Sequence, residues 1–246
     1  MNTRWKELGG LSCQIADGRA DDSPPSLVVI LCHGYGAPGT DLVPISWNMS
    51  VHYPELANRV VYVFPAAPFS LADQGLFDGR AWWQVDIGRL AMAIERGDLR
   101  SVQNELPEDL ISSREKLTKL VEEAKAEYDV PTSRVILGGF SQGSILATDV
   151  ALRMPESPAA LCIWSGTLMC EDQWSKLAVE RRGTPVLQSH GRNDPLLPFD
   201  GAIWLRDVLV AAGMNVDFHE FMGDHTIPLE VLEKFGLMMD QLIAQE

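Results

Sequence analysis

The segment RVILGGFSQGSILATDVALRM, residues 134–154, decides the fold class. It begins with an apolar, β-branched run at 134–137, passes through a glycine-rich turn and continues into a predicted helix at 142–154. Within the turn, Gly139-Phe-Ser-Gln-Gly143 matches G-x-S-x-G, the pattern of a strained strand-turn-helix that projects a serine from a sheet edge. Neighbouring backbones come too close there for a Cβ, which explains the glycines. A glycine-rich turn without a chemical role is the alternative, and the strand-turn-helix context favours a nucleophilic Ser141.

Short apolar runs alternate with segments of helical period along the rest of the chain. Strands are predicted at 27–32, 59–64, 134–137, 159–164, 185–188 and 216–221. Helices are predicted at 107–128, 142–154, 199–212 and 229–244. This alternation predicts an α/β fold with a mostly parallel central sheet and helices on both faces.

Two stretches lack a clear periodicity. Residues 16–26 carry Asp, Gly, Pro and Ser and are predicted to form a surface loop. Residues 65–106 are rich in Pro, Gly and aromatic residues, with one modest helical pattern at 89–96. Long irregular segments inside compact domains are usually functional, so we expect a loop-rich lid there.

Length, charge and cysteine usage exclude several classes of protein. A chain of 246 residues can bury about 70% of its surface, which favours a single domain over residues 1–246. The net charge of −14 disfavours nucleic acid and anionic lipid as partners. The four cysteines form no C-x-x-C pair and indicate buried thiols in a reducing compartment. No secretory signal or membrane segment is recognisable, so a soluble, cytoplasmic protein is expected.

A serine nucleophile needs a histidine base that follows it along the chain of such folds. His219 and His225 both follow Ser141 and a plausible acid. His219 lies within a predicted strand, where a structural role is favoured. His225 lies in the loop between the last strand and the last helix, at the carboxyl edge of the sheet, and is the better base.

The base in turn needs a carboxylate that orients its ring. Asp194 follows the strand 185–188 in the turn Ser189-His-Gly-Arg-Asn-Asp-Pro195, which places it at the same edge of the sheet. Asp224 is the competing acid, but adjacent residues in an extended chain point apart. Asp194 is therefore the predicted acid.

The loop after the strand 27–32 is open to two interpretations. In serine hydrolases this loop provides one backbone N–H of the oxyanion hole, and the residue after the nucleophile provides the other, which nominates Tyr35 and Gln142. Alternatively, Gly34-Tyr-Gly-Ala-Pro-Gly39 fits the G-x-G-x-x-G pattern of a dinucleotide-binding oxidoreductase. Pro38 interrupts the expected phosphate-binding helix, and the next strand ends without an acid for a ribose, which disfavours that alternative.

Four motifs in this order resemble the phospholipase/carboxylesterase family, which includes the acyl-protein thioesterases. They are Gly138-Gly-Phe-Ser-Gln-Gly143, His33-Gly-Tyr-Gly36, Ser189-His-Gly-Arg-Asn-Asp-Pro195 and Asp224-His-Thr-Ile227. The resemblance implies an α/β-hydrolase fold, no cofactor and hydrolysis of carboxylic esters or acyl thioesters. It also implies Ser141, Asp194 and His225 as the catalytic triad. Ser144 and Asp224 stand where the family often has glycine.

The sequence therefore predicts a serine hydrolase (EC 3.1) that acts on a small-molecule ester or thioester through an acyl-enzyme, without cofactor or metal. A non-catalytic acyl-ligand binder on the same fold is the alternative from another class. Apolar residues near the predicted catalytic edge are expected to bind the acyl chain: Phe69, Leu76, Trp82, Trp83, Leu196 and Leu197. No prediction about oligomeric state follows.

Overall fold

The computed structural model describes residues 1–21, 23–100, 104 and 106–245. The strands, in chain order, are β1 (Asn2–Leu8), β2 (Leu11–Asp17), β3 (Leu27–Cys32), β4 (Val60–Pro65), β5 (Phe69–Ser70), β6 (Arg80–Ala81), β7 (Val135–Phe140), β8 (Ala160–Trp164), β9 (Pro185–Gly191) and β10 (Asn215–Phe221). The α-helices in this part of the chain are α1 (Val43–His52), α2 (Ile87–Glu95), α3 (Glu108–Tyr128), α4 (Gln142–Arg153), α5 (Glu171–Ala178), α6 (Phe199–Ala211) and α7 (Leu229–Ala244).

Eight strands form one sheet in the order β1-β2-β4-β3-β7-β8-β9-β10. β2 pairs antiparallel with both β1 and β4. The remaining neighbours in this sheet pair parallel, in the order β4, β3, β7, β8, β9 and β10. The chain moves from β3 to β4 on one side and then returns to β7 on the other side. The strand order therefore reverses between β3 and β7. In open α/β sheets, ligands bind outside the carboxyl ends of the strands at such a reversal.

The central strands of the sheet are buried on both faces, as the apolar runs predict. On one face, Val28 and Ile30 of β3 pack in a core with α3, α4, α5 and α6. On the other face, Val29 and Leu31 pack in a second core with α1 and α7. Alternate residues of one strand thus enter opposite cores, which is why the run Leu27–Cys32 is apolar throughout.

The predicted α/β architecture is confirmed, and the structure contains elements that were not predicted. The hairpin β1–β2 and the helices α1 and α5 did not emerge from the periodicity. β2 also extends to Asp17, so the expected loop at 16–26 begins two residues later. The segment 65–106 contains the short hairpin β5–β6 and the helix α2, and is thus less irregular than expected. Its role as a lid stays a prediction.

Candidate active site

Ser141 lies in a strained turn between β7 and α4. Its backbone has φ 53° and ψ −123°, a conformation that a residue with a Cβ rarely adopts. A Cβ on Gly139 or Gly143 would overlap the carbonyl oxygen of Cys32 at the end of β3. The two glycines therefore let β3 approach the turn closely. The turn sits where the strand order reverses, between β3 and β7.

Asp194 is held by the turn that follows β9. Its Oδ1 accepts the backbone N–H groups of Leu196 and Leu197, each at 2.9 Å. Its Oδ2 accepts Nδ1–H of His225 at 2.6 Å. The carboxylate is buried, and its two oxygens have different partners, so its orientation is fixed.

A second histidine also faces the Asp194 carboxylate. Nε2 of the buried His190 donates to the carbonyl of Leu197 at 2.8 Å and lies 3.3 Å from Oδ2 of Asp194. Burial raises the pKa of Asp194, but hydrogen bonds from His190, His225 and Leu197 outweigh it and hold that pKa well below the usual range. Asp194 is therefore ionised at neutral pH.

His225 reaches Asp194 because two loops touch. A Cβ on Gly191 would come within 3 Å of the backbone at Gly223 and Asp224, so only glycine allows this approach. The amide of Asn193 also donates to the carbonyl of Gly223 at 3.0 Å. These contacts hold the loop between β10 and α7 against the turn after β9.

The same loop brings His225 beside the elbow. The ring of Phe140, the residue before Ser141, lies 4.7 Å from the imidazole of His225, measured between centroids. The competing acid Asp224 is exposed, and the ring nitrogen of His225 bonds to Asp194 instead. His219 stacks at 6.3 Å on Phe221 within the edge strand. His225 and Asp194 are thus hydrogen-bonded to each other beside the turn that carries Ser141, at one edge of the sheet.

The loop after β3 lies directly against Ser141. A Cβ on Gly34 would be 3.3 Å from Cβ of Ser141. The loop is tied to β6 by two backbone bonds, from Gly36 N–H to the carbonyl of Arg80 at 2.9 Å and from Arg80 N–H to that of Ala37 at 3.0 Å. The N–H of Tyr35 therefore belongs to a fixed loop beside the candidate nucleophile.

Gln142 has a second role that the sequence did not suggest. As the first residue of α4, it has a backbone N–H without an intrahelical partner, which suits it to the predicted oxyanion contact. Its buried side chain accepts the N–H of Trp82 and donates to the carbonyl of Trp83, both at 2.8 Å. The side chain therefore joins the elbow to the segment after β6.

The six predicted acyl-binding residues separate into buried and accessible groups. Trp82 and Trp83 lie in the core, 0% and 4% exposed, so they support the elbow rather than line a surface. Leu76 and Leu196 are 45% and 57% exposed, and Phe69 and Leu197 are half-buried. Leu76 also packs over the loop after β3, where its Cδ1 would touch a Cβ on Gly36 at 3.5 Å.

Ser144 fits the space where the family often has glycine. Its Oγ donates to the carbonyl of Ser141 at 2.7 Å, inside the first turn of α4. Gly166 packs against this hydroxyl so closely that a Cβ there would overlap it. The serine is thus accommodated by a glycine opposite.

The described residues include a groove away from the triad candidates, but no metal site and no membrane-spanning helix. A groove of about 390 Å³ between α5 and α6 is lined by Trp204, Glu171 and Arg100, and includes no triad candidate. Among the residues that the structure covers, no group of three His, Cys, Asp or Glu side chains could hold a metal ion. None of the helices in the same ranges is long and apolar enough to cross a bilayer.

The chain is similar to proteins of one family. The family model described as Phospholipase/Carboxylesterase matches residues 19–241. The acyl-protein thioesterase 1 of Eremothecium gossypii is 30% identical over 184 residues, covering 73% of this chain and 71% of that protein. The acyl-protein thioesterase 1 of Debaryomyces hansenii is 25% identical over 216 residues, covering 83% and 85%.

Two solved structures share the fold at low sequence identity. Esterase PE8 superposes with a TM-score of 0.75 at 23% identity, over 98% of this chain and all of that chain. A carboxylesterase from Mesorhizobium loti superposes with a TM-score of 0.73 at 15% identity, over 98% and 99%. Because the family model spans most of the sequence, the chain belongs to the phospholipase/carboxylesterase family, and it is a hydrolase with the α/β-hydrolase fold.

Proposed function

We propose that this hydrolase cleaves carboxylic esters and acyl thioesters with Ser141 as nucleophile, His225 as base and Asp194 as the acid that orients the base. The observation that carries the proposal is the 2.6 Å hydrogen bond from Nδ1 of His225 to the buried Asp194, beside a serine in a strained elbow. This bond leaves Nε2 as the free basic nitrogen, which is the tautomer that a serine nucleophile requires.

In this mechanism, Oγ of Ser141 attacks the acyl carbonyl as Nε2 of His225 takes its proton. The N–H groups of Tyr35 and Gln142 stabilise the resulting oxyanion. His225 then protonates the leaving alcohol or thiol, and an acyl-enzyme remains on Ser141. Water, deprotonated by the same imidazole, releases the carboxylic acid and restores the serine.

The proposed substrates carry an apolar acyl chain and an uncharged leaving group. Leu76, Phe77 and Leu196 are exposed on the loops that follow β5 and β9. Leu76 packs over the loop after β3, and the N–H of Leu196 donates to Asp194, so exposed apolar side chains on these two loops suit an acyl group. The net charge of −14 disfavours anionic substrates. Relatives named acyl-protein thioesterase 1 support the inclusion of thioesters.

The nucleophile is tested by covalent labelling with a fluorophosphonate. Intact mass should increase by one phosphonyl group in the wild-type enzyme and remain unchanged in Ser141→Ala. Ser175→Ala, which alters an exposed serine on α5, is the matched control and should label like wild type. Labelling that persists in Ser141→Ala would refute the assignment, and a wild-type protein that does not label would indicate a passive acyl binder.

The substrate class is tested with p-nitrophenyl esters from acetate to laurate, matching thioesters and a peptide amide. Each buried methylene contributes about 0.8 kcal/mol, so kcat/KM should rise over the first added carbons and then level off. Leu76→Ser should flatten that rise more than Leu237→Ser, which alters a comparably exposed leucine on α7. A flat profile in the wild-type enzyme, or equal cleavage of the amide, would contradict the proposed substrate class.

A further inference from the structure

The imidazole of His33 bridges two backbone groups next to the candidate nucleophile. Its Nδ1 lies 2.7 Å from the carbonyl oxygen of Gly34, and its Nε2 lies 2.9 Å from the backbone nitrogen of Ala67. The N–H of Ala67 can only donate, so Nε2 must be the unprotonated nitrogen. The proton of the neutral ring is therefore on Nδ1 and is donated to Gly34.

The surroundings of His33 keep this tautomer in place. The side chain is buried, and burial lowers its pKa to about 4, against the opposing effect of the bond to Gly34. The indole of Trp82 donates to the carbonyl of His33 at 2.9 Å, and the two rings lie 5.5 Å apart. At neutral pH the ring thus has one donor and one acceptor, both of which are occupied.

The bond to Gly34 fixes the direction of the N–H of Tyr35. A peptide unit is planar and trans, so its C=O and N–H point to opposite sides. Because the carbonyl of Gly34 is turned toward His33, the amide of Tyr35 in the same unit is turned away from it. The N–H of Ala37 also donates to the carbonyl of Gly34, over a longer distance of 3.3 Å, and closes the turn.

We propose that His33 is a positioning residue that aims the backbone N–H of Tyr35 at the oxyanion through the peptide unit it shares with Gly34. This inference rests on the proposed function, because it assigns a role to His33 within that mechanism. His33 does not touch the substrate. Its contribution is to hold a donor in place before the reaction, which is how oxyanion holes stabilise transition states.

Two substitutions separate the two hydrogen bonds of His33. In His33→Asn, the side-chain amide nitrogen occupies roughly the place of Nδ1 and can still donate to Gly34, while the acceptor for Ala67 is lost. In His33→Gln, the amide reaches roughly the place of Nε2 and can still accept from Ala67, while the donor to Gly34 is lost. Each variant removes one of the two hydrogen bonds of His33 and keeps the other, so both should lose similar stability.

The proposal predicts that the two variants differ in catalysis. Loss of one oxyanion donor lowers kcat by about 10²- to 10³-fold, so we expect kcat of the Gln variant to fall at least tenfold below that of the Asn variant. KM should differ little between them, because the oxyanion contact forms in the transition state. Both rates are expressed per active site titrated with the fluorophosphonate, which removes any unfolded fraction from the comparison.

The outcomes distinguish this inference from the proposed function. Equal kcat values in the two variants, or a lower value in the Asn variant, would overturn the role of His33 while leaving the triad intact. Full activity of Ser141→Ala would overturn the proposed function itself. A urea unfolding curve for each variant provides the stability comparison, and equal stability with unequal kcat supports positioning over general structural support.

Discussion

Replacement of Asp194 by asparagine should inactivate the enzyme through the tautomer of His225, and the structure determines how. The side-chain oxygen of the new amide must face the N–H groups of Leu196 and Leu197, since an NH₂ group there would oppose two donors. The NH₂ group then takes the place of Oδ2, 2.6 Å from Nδ1 of His225. An N–H donated to Nδ1 forces the ring proton onto Nε2, which can no longer accept the proton of Ser141.

The size of the loss follows from this reversal. In serine proteases the wrong histidine tautomer lowers kcat by about 10⁴-fold, equivalent to about 5 kcal/mol of transition-state stabilisation. The NH₂ group would also oppose Nε2–H of His190, which lies 3.3 Å from Oδ2 and already donates to Leu197. We therefore expect Asp194→Asn to lose about 10⁴-fold in kcat, with KM changed far less.

The measurement is steady-state hydrolysis of p-nitrophenyl butyrate at pH 8, with Asp224→Asn as the matched control. The control removes the same charge from the residue next to His225, but Asp224 is exposed and does not bond to the ring. It should change kcat by less than about threefold, as expected for a screened surface charge. An Asp194→Asn enzyme with more than a tenth of wild-type kcat, or an equal loss in the control, would refute the reasoning.

Three further outcomes are expected. Gly191→Ala should lower kcat by about 10²-fold, because the methyl group displaces the loop of His225 by roughly an ångström, whereas Gly88→Ala, which meets only an ordinary contact in α2, should be neutral in the same assay. Burial lowers the pKa of His33 from 6.5 to about 4 in the folded protein. Between pH 4 and pH 6.5 the unfolded chain therefore binds a proton at His33 that the folded protein does not. The free energy of unfolding should therefore fall as pH drops through this window, and urea titrations should find a shallower fall, by up to about 1.4 kcal/mol per pH unit, in His33→Asn. All four cysteines are buried, and burial raises the pKa of Cys13 to about 12, so Ellman's reagent should detect thiols only after denaturation; rapid reaction of the native protein would contradict the packing.

The sequence predicted those elements whose apolar residues face a core on a regular period. In α3, apolar residues at helical spacing are buried, from Leu110 through Leu117 to Tyr128. The hairpin β1–β2 was missed because β1 is an edge strand with mostly exposed side chains and no apolar run. Gly9-Gly10 between two alternating segments was the available signal, since a two-residue glycine turn is typical of a hairpin.

The sequence predicted the site residues whose chemical role restricts their type. It did not predict the roles of side chains that pack against the site from distant parts of the chain. Ser141, Asp194 and His225 each follow a strand, so chain order alone placed them at one edge of the sheet. Trp82 was assigned to the substrate because an aromatic residue in an irregular segment has no periodicity to reveal its direction. Only the fold brings it under Gln142, sixty positions later in the chain.

Trp82 is the point at which the segment after β5 changes from attachment by backbone bonds to attachment by side chains. Before it, the tip of the β5–β6 hairpin is attached to the rest by backbone bonds, such as Leu71 N–H to the carbonyl of Gly79 at 2.8 Å, which are independent of side-chain identity. Trp82 itself has a partner for each of its polar groups: its indole N–H donates to the carbonyl of His33, its carbonyl accepts the hydroxyl of Ser113, and its backbone N–H donates to the side chain of Gln142. Substitutions at the hairpin tip should therefore leave these contacts in place, whereas a substitution at Trp82, Ser113 or Gln142 should remove one of them.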